Sequence, residues 1–205
     1  MKSEDKRNTA PQEDAEEKRT PLQELLEWVQ IFVIAALIAV VVNSFIIANS
    51  KVPSASMEDT IMTGDRVIGF RLSYMFSEPE RGDIVIFRYP VDESIYYVKR
   101  LIGLPGETVD IVAGKVYING SSEPLEEPYL KEEPEPEQSM HFEVPEDSYF
   151  FLGDNRNNSL DARYWELVAM RDPDSDPERD YTFVKRDKLV AKVLFRYFPN
   201  PGIVK

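Results

Sequence analysis

The chain has 205 residues, 42 % of them hydrophobic and 30 % charged, which is enough for one well-cored domain plus appendages. Its formal charge of −13 argues against nucleic acid as a partner, since that would demand a basic face. The absence of cysteine excludes thiol catalysis, disulfides and Cys-ligated metals.

Residues 1–20 mix Lys2, Lys6, Arg7, Lys18 and Arg19 with acids and contain almost nothing apolar, so a disordered tail is expected. From Trp28 to Ala48 the chain is apolar except for Gln30, Asn43 and Ser44. At about 1.5 Å per residue such a run spans the ~30 Å hydrocarbon layer of a bilayer. A cleavable secretion signal would have a shorter apolar core and a small-x-small exit, which Ile47-Ala48-Asn49 does not supply. A buried core helix would show a polar face at helical period, and Ile31 to Val42 shows none. The reading is a permanent single-pass membrane anchor over residues 21–49. The basic residues before it, against only Lys51 and Arg66 close after it, predict a cytoplasmic N-terminus and an extracytoplasmic domain over residues 50–205. Trp28 falls at the inner interfacial belt.

Directly behind the anchor comes VPSASMEDT, Val52 to Thr60, with Ser54 and Ser56. A serine hydroxyl is a weak nucleophile at its own pKa, so Ser56 needs a base within hydrogen-bond reach and donors for a developing oxyanion. The pattern then turns to short β-branched and aromatic runs punctuated by Gly and Pro: 65–70, 83–89, 95–102, 108–112, 115–118 and 188–197. No helical run of core-facing period occurs after the anchor. The expected fold is mainly β, an antiparallel catalytic domain with a small inserted subdomain at residues 105–148. Two acid- and proline-rich stretches, 122–138 and 171–180, read as solvated, extended loops. Arg81-Gly82-Asp83 opens a strand and reads as structural, not as an adhesion motif. Leu72 to Phe76 reads either as core or as an apolar patch that docks on the outer membrane surface.

His141 is the only histidine, so a Ser-His-acid triad would have to use it; its strand-like context, MHFE, favours a surface or packing role. No HExxH or other metal-ligand spacing occurs, and no metal, nucleotide or other cofactor is implied. Lys99 remains. By two-residue alternation it shares a face with Ile95, Tyr97 and Leu101 in the most apolar strand. Either it is desolvated there, which would lower its pKa and make it a base for Ser56, or it snorkels to solvent from an edge strand.

Five stretches occur in the order seen in the bacterial type I signal peptidases: VPSASMEDT (52–60), Gly64-Asp65, RGDIV (81–85), YVKRLIGLPG (97–106) and GDNRNNSLDARYW (153–165). The chain resembles that family over about residues 28–200. The resemblance implies a membrane-bound serine endopeptidase that cleaves N-terminal signal peptides from exported preproteins, through a Ser-Lys dyad and an acyl-enzyme. The family's substrates carry small residues, typically Ala, one and three positions before the cut. It implies Ser56 as nucleophile, Lys99 as general base, and Ser54 with the Ser56 N–H as oxyanion hole. Ser159 matches the serine that hydrogen-bonds the lysine amine; Asp154, Arg100, Asp161 and Arg163 match charged positions supporting the site. The bilayer and preproteins are the implied partners, and the bacterial cell membrane the implied location. Three positions depart from the family: Asp59 where Pro is frequent, which would loosen the turn behind Ser56, Ala162 for a common serine, and Glu166 for a common glycine. A catalytically inactive membrane-anchored β-domain that binds exported chains is the alternative, and oligomeric state is not specified by the sequence.

Overall fold

The computed structural model describes residues 20–204; the tail expected to be disordered lies, apart from Thr20, outside the described residues. The chain divides into two compact units, Met1–Val40 and Val41–Lys205. The first contains most of helix α1 (Pro21–Val41), none of whose residues is buried. Its start comes from local chemistry. Thr20 N donates to Gln23 Oε1 at 2.8 Å, and Gln23 N donates to Thr20 Oγ1 at 3.4 Å, a reciprocal cap. Pro21 fills the first helical position, where a missing N–H costs nothing. The α-helix gives way to a π turn at Val42–Ile46, where Asn43 and Ser44 interrupt the apolar run. Together they make Pro21–Ile46 long and apolar enough to cross a membrane.

The second unit carries, in chain order, β1 (Ile47–Lys51), β2 (Arg66–Phe70), α2 (Ser73–Phe76), β3 (Ile84–Arg88), β4 (Tyr96–Gly103), β5 (Thr108–Val112), β6 (Lys115–Ile118), β7 (Met140–Glu143), β8 (Ser148–Leu152), α3 (Trp165–Ala169), β9 (Val184–Lys185), β10 (Leu189–Phe198) and β11 (Gly202–Ile203). The large sheet runs β1-β2-β10-β3-β4-β8-β9, with β11 added on β10; the small one runs β6-β5-β7. Among the described residues every strand pairing is antiparallel, so the fold is mainly β as expected. The small sheet lies between β4 and β8, within the expected insertion. Val109, Ile111 and Val116 join the same core as Phe150 and Trp165, so the insertion shares its core with the rest of the unit.

Strand β3 shows how the site is held. Its first four residues are all buried because alternate side chains enter two cores: Ile84 and Ile86 pack with Met57, Ile61 and Ala191, while Val85 and Phe87 pack with Leu101, Phe151 and Trp165. One core therefore anchors the turn carrying Ser56, and the other carries the strand of Lys99.

Three elements differ from the sequence reading. The run expected to remain anchor as far as Asn49 leaves the helix at Ile46; Ile47–Lys51 pairs with β2, and Ala48 is buried in the sheet. Strand β8 shows no alternation to read, because all five of its residues are buried. The segment 122–138 is extended, as expected, but Glu127, Tyr129 and Glu137 are half-buried, and each contacts an arginine of the same unit. In α2, Met75 and Phe76 are exposed while Leu72 and Tyr74 are half-buried, with Tyr74 Oη donating to Asp83 at 3.2 Å. Arg81-Gly82-Asp83 is structural: Gly82 N donates to Leu101 O at 2.8 Å, and Arg81 pairs with Glu107 at 2.6 Å.

Candidate active site

The chain after β1 continues extended through Val52, whose N–H donates to Asp65 O at 2.9 Å and whose carbonyl accepts from Gly64 N at 2.8 Å. It then turns sharply. Met57 and Ile61, both fully buried, pin the turn from below, and Ile61 N donates to Met57 O at 2.7 Å. Asp59 stands exposed on this turn, and Glu58 N donates to Ala55 O at 3.2 Å across it. From the far side Asn155 N donates to Ser56 O at 3.1 Å and Asn155 Nδ2 to Ala55 O at 3.0 Å. Ser56 is thus buried and fixed through its own carbonyl.

Lys99 lies on β4, paired with Val85 of β3, and its side chain is as buried as its neighbours in the core. The snorkelling alternative is excluded by that burial. Lys99 Nζ hydrogen-bonds Ser56 Oγ and sits 5.4 Å from the centre of the Tyr97 ring. Burial brings its pKa down to about 8, against the pull of Asp161 and Asp154 and with a smaller push from Arg163. The drop from 10.5 to about 8 corresponds to about 3 kcal/mol of disfavoured charge. Ser54 Oγ lies 3.2 Å from Ser56 Oγ, on the exposed side of the pair.

Two carboxylates near the amine are already engaged. Asp154 accepts from Arg100 Nε at 2.8 Å and Nη2 at 2.7 Å, and also from Thr60 Oγ1. Asp161 accepts from Arg163 Nε at 2.8 Å, Arg163 Nη2 at 3.0 Å and the Gly153 N–H at 3.0 Å. Bidentate pairing to arginine leaves these acids poorly placed to hold a charged lysine, so desolvation prevails. Ser159 departs from expectation: its buried Oγ has no hydrogen-bond partner among the described residues, and the bond to Lys99 is not made. The amine instead spends its contact on Ser56. Ser159 is nevertheless packed hard against the site, since a Cβ on Gly153 would fall 2.2 Å from its Oγ and 2.5 Å from Ser56 O. Only glycine fits there.

A cleft of about 390 Å³ opens over the pair, lined by Ser50 to Ser56 on one side and Ile95 to Lys99 on the other. Ser50 and Lys51 of β1 form one wall with the turn that follows, and Tyr96–Lys99 of β4 form the other. The part of β4 before Arg100 is unpaired on the side that later takes β8, and β1 is an end strand of the large sheet. A larger cavity of about 670 Å³, edged by Arg88, Glu93, Asp147 and Lys188, is lined by neither Ser56 nor Lys99. His141 lies outside the cleft on β7, exposed, with Nδ1 2.6 Å from Asp110 Oδ1; that contact raises its pKa.

Residues 25–198 match the signal peptidase family, peptidase S26. This chain belongs to that family. A probable signal peptidase I-2 of Synechocystis sp. is 35 % identical over 198 residues, covering 93 % of this chain and 82 % of that one. Signal peptidase I of Bacillus licheniformis is 37 % identical over 158 residues, 72 % of this chain and 83 % of its own. A crystal structure of a signal peptidase I from Enterococcus faecalis V583 covers 57 % of this chain and 97 % of its own at 33 % identity, with a TM-score of 0.43. This S26 member is a serine endopeptidase, and its apolar helix is consistent with membrane anchoring.

Its other departures from the signal peptidase pattern have local explanations. Ala162 is buried in the core beside Trp165, where a hydroxyl would need a partner. Glu166 Oε2 accepts from Tyr181 N at 3.0 Å, tying α3 to the residue that follows the second acidic segment. Sequence reasoning did not single out Asn155, Arg156, Thr60 or Glu127. The first two lie in the GDNR run, which marks them; Glu127 sits among many glutamates, and nothing in the sequence separates it from them.

Proposed function

We propose that the protein removes N-terminal signal peptides from exported preproteins through a Ser56–Lys99 dyad and a covalent acyl-enzyme, from a domain tethered outside the cytoplasm with the N-terminus inside. The buried contact between Ser56 Oγ and Lys99 Nζ carries this reading. Neutral Lys99 accepts the Ser56 proton as Oγ adds to the scissile carbonyl carbon. The negative oxygen is met by the Ser56 N–H and the Ser54 hydroxyl, a donor type worth about 3 to 4 kcal/mol in the transition state. The lysine ammonium then protonates the leaving amine as the C–N bond breaks, leaving an ester on Ser56. A water that loses its proton to Lys99 hydrolyses the ester, and Oγ regains a proton.

The cleft supports an extended substrate. A preprotein segment laid between residues 50–54 and 95–98 would add as a strand, turning alternate side chains toward the cleft floor. Small residues suit a floor this close to the dyad. Of the two readings of Leu72 to Phe76, membrane docking is supported by the exposure of Met75 and Phe76.

The test is cleavage of a purified preprotein by the full chain in detergent–phospholipid micelles, with Ser56→Ala and Lys99→Ala beside it. Each variant should lose at least about a thousandfold in rate, and intact-mass analysis should detect an acyl adduct on the wild type only. Unchanged cleavage by either variant would refute the dyad; an inactive wild type that still captures preprotein would favour the binding module.

A further inference from the structure

The acidic segment 122–138 is not used in the reaction above, yet three of its side chains each grip an arginine at the site. Glu127 accepts from both terminal nitrogens of Arg156, with the two side chains only 5 % and 3 % exposed. The Tyr129 ring lies 3.8 Å from the Arg100 guanidinium, and Tyr129 Oη donates to Glu127 Oε1 at 2.8 Å. Glu137 Oε1 accepts from Arg163 Nη1 at 3.2 Å and from Tyr164 Oη. The segment is a strap across the GDNR turn.

These arginines converge on the two peptide units that meet at Gly153. Arg156 Nε donates to Gly153 O at 3.0 Å. Arg163 holds Asp161, whose Oδ2 accepts the Gly153 N–H at 3.0 Å. Arg100 holds Asp154, the next residue. Gly153 packs closely against the nucleophile: a Cβ there would collide with Ser159 Oγ and Ser56 O, and two residues on Asn155 N donates to Ser56 O at 3.1 Å. A shift of Gly153 is therefore passed directly to the backbone of the nucleophile. Lys131 adds a further tie, pairing with Glu58 of the Ser56 turn at 3.1 Å.

We propose that this strap is a positioning element of the peptidase: Glu127 through Arg156, and Glu137 through Arg163 and Asp161, clamp the two peptide units on either side of the Gly153 Cα and keep Ser56 in register with Lys99. The inference rests on the dyad reading above. A positioning error of about 1 Å at a reacting atom costs up to about a hundredfold in rate, so the glutamates act on turnover without touching substrate. Glu137 has a second effect. The charged groups acting on Lys99 are Asp161, Asp154 and Arg163, and Glu137 partly neutralises the last. Without it Arg163, still paired with Asp161, has one counter-charge fewer and disfavours the lysine ammonium somewhat further.

The experiment compares the full-length wild type with Glu127→Gln, Glu137→Gln, Glu137→Asp, the exposed control Glu126→Gln and the reference Ser56→Ala, on one preprotein, recording kcat, KM, the pH profile and thermal melting. Glu137→Gln should lower kcat about tenfold with KM changed less than about twofold, and should move the acid limb of kcat to lower pH. Glu137→Asp should recover part of the loss, and Glu126→Gln should match wild type. Glu127→Gln should fall further; if it does not fold, Glu137→Gln decides. Wild-type kcat and pH profile in Glu137→Gln well below its melting temperature, with only the melting temperature lowered, would overturn the strap while leaving a Ser56-dependent wild type intact. Retained cleavage by Ser56→Ala would overturn both proposals together.

Discussion

Two lysines in the large sheet flank the same residue. Lys99 on β4 and Lys192 on β10 are both register partners of Val85, one on each side, and the pleat turns them to one face. Their chemistry diverges. Lys192 stays about one-third exposed and pairs with Asp83 at 2.6 Å. Lys99 is buried, its nearby carboxylates are engaged by Arg100 and Arg163, and its amine meets a serine hydroxyl. On the proposed mechanism, a strand lysine becomes a base when water is removed and no free carboxylate replaces it; with a carboxylate in reach and solvent beside it, it remains an ordinary cation.

That contrast can be broken most severely at Lys99 itself. Lys99→Arg places a permanent cation where a neutral amine is required, so preprotein cleavage should fall by about a thousandfold or more; activity within tenfold of wild type would remove Lys99 from the base role. The wild-type pH profile is the next test. Because burial brings the Lys99 pKa to about 8, kcat/KM should rise as pH increases through about 8 and flatten above it.

Stability should carry the same signature. The folded pKa lies below the unfolded one, so the native state is penalised wherever Lys99 must stay protonated. The penalty is complete below about pH 8 and disappears as pH rises toward 10.5. Lys99→Met should therefore stabilise the protein at pH 7 by up to about 3 kcal/mol in denaturant melts, and lose that advantage between those two values. An equal stability difference at pH 7 and pH 10.5 would contradict the burial argument. The smallest effect is expected on the other side of Val85. Lys192→Met should cost about 1 kcal/mol or less and leave the cleavage pH profile where it is; a displaced profile would mean that the two lysines are coupled.

Much of the site was legible before folding. The ordered boxes point to Ser56 and Lys99, and the structure brings the two together across 43 positions of chain. Paired strands with one wet face, such as β5, show alternation and could be delimited to the residue. Strand β8 is buried on both faces and shows none. The two acidic, proline-rich stretches looked alike, yet 122–138 puts the buried Glu127 carboxylate and two half-buried side chains on the site arginines while 171–180 is mostly exposed, with Arg179 pairing with Glu93 at 2.9 Å. Composition reports how many charges a loop carries and is silent on whether an arginine waits opposite them.

The sequence by itself determined the apolar span, the mainly β character of the chain beyond it and the residues able to do the chemistry, because periodicity, propensity and side-chain type are local properties. The tertiary structure decided which lysine lost its water, where the helix stopped and the first strand began, and that Ser159 keeps its hydroxyl unpaired. Those outcomes depend on what distant segments place beside a residue, and a desolvation or an ion pair exists only once the chain has brought both sides of it together.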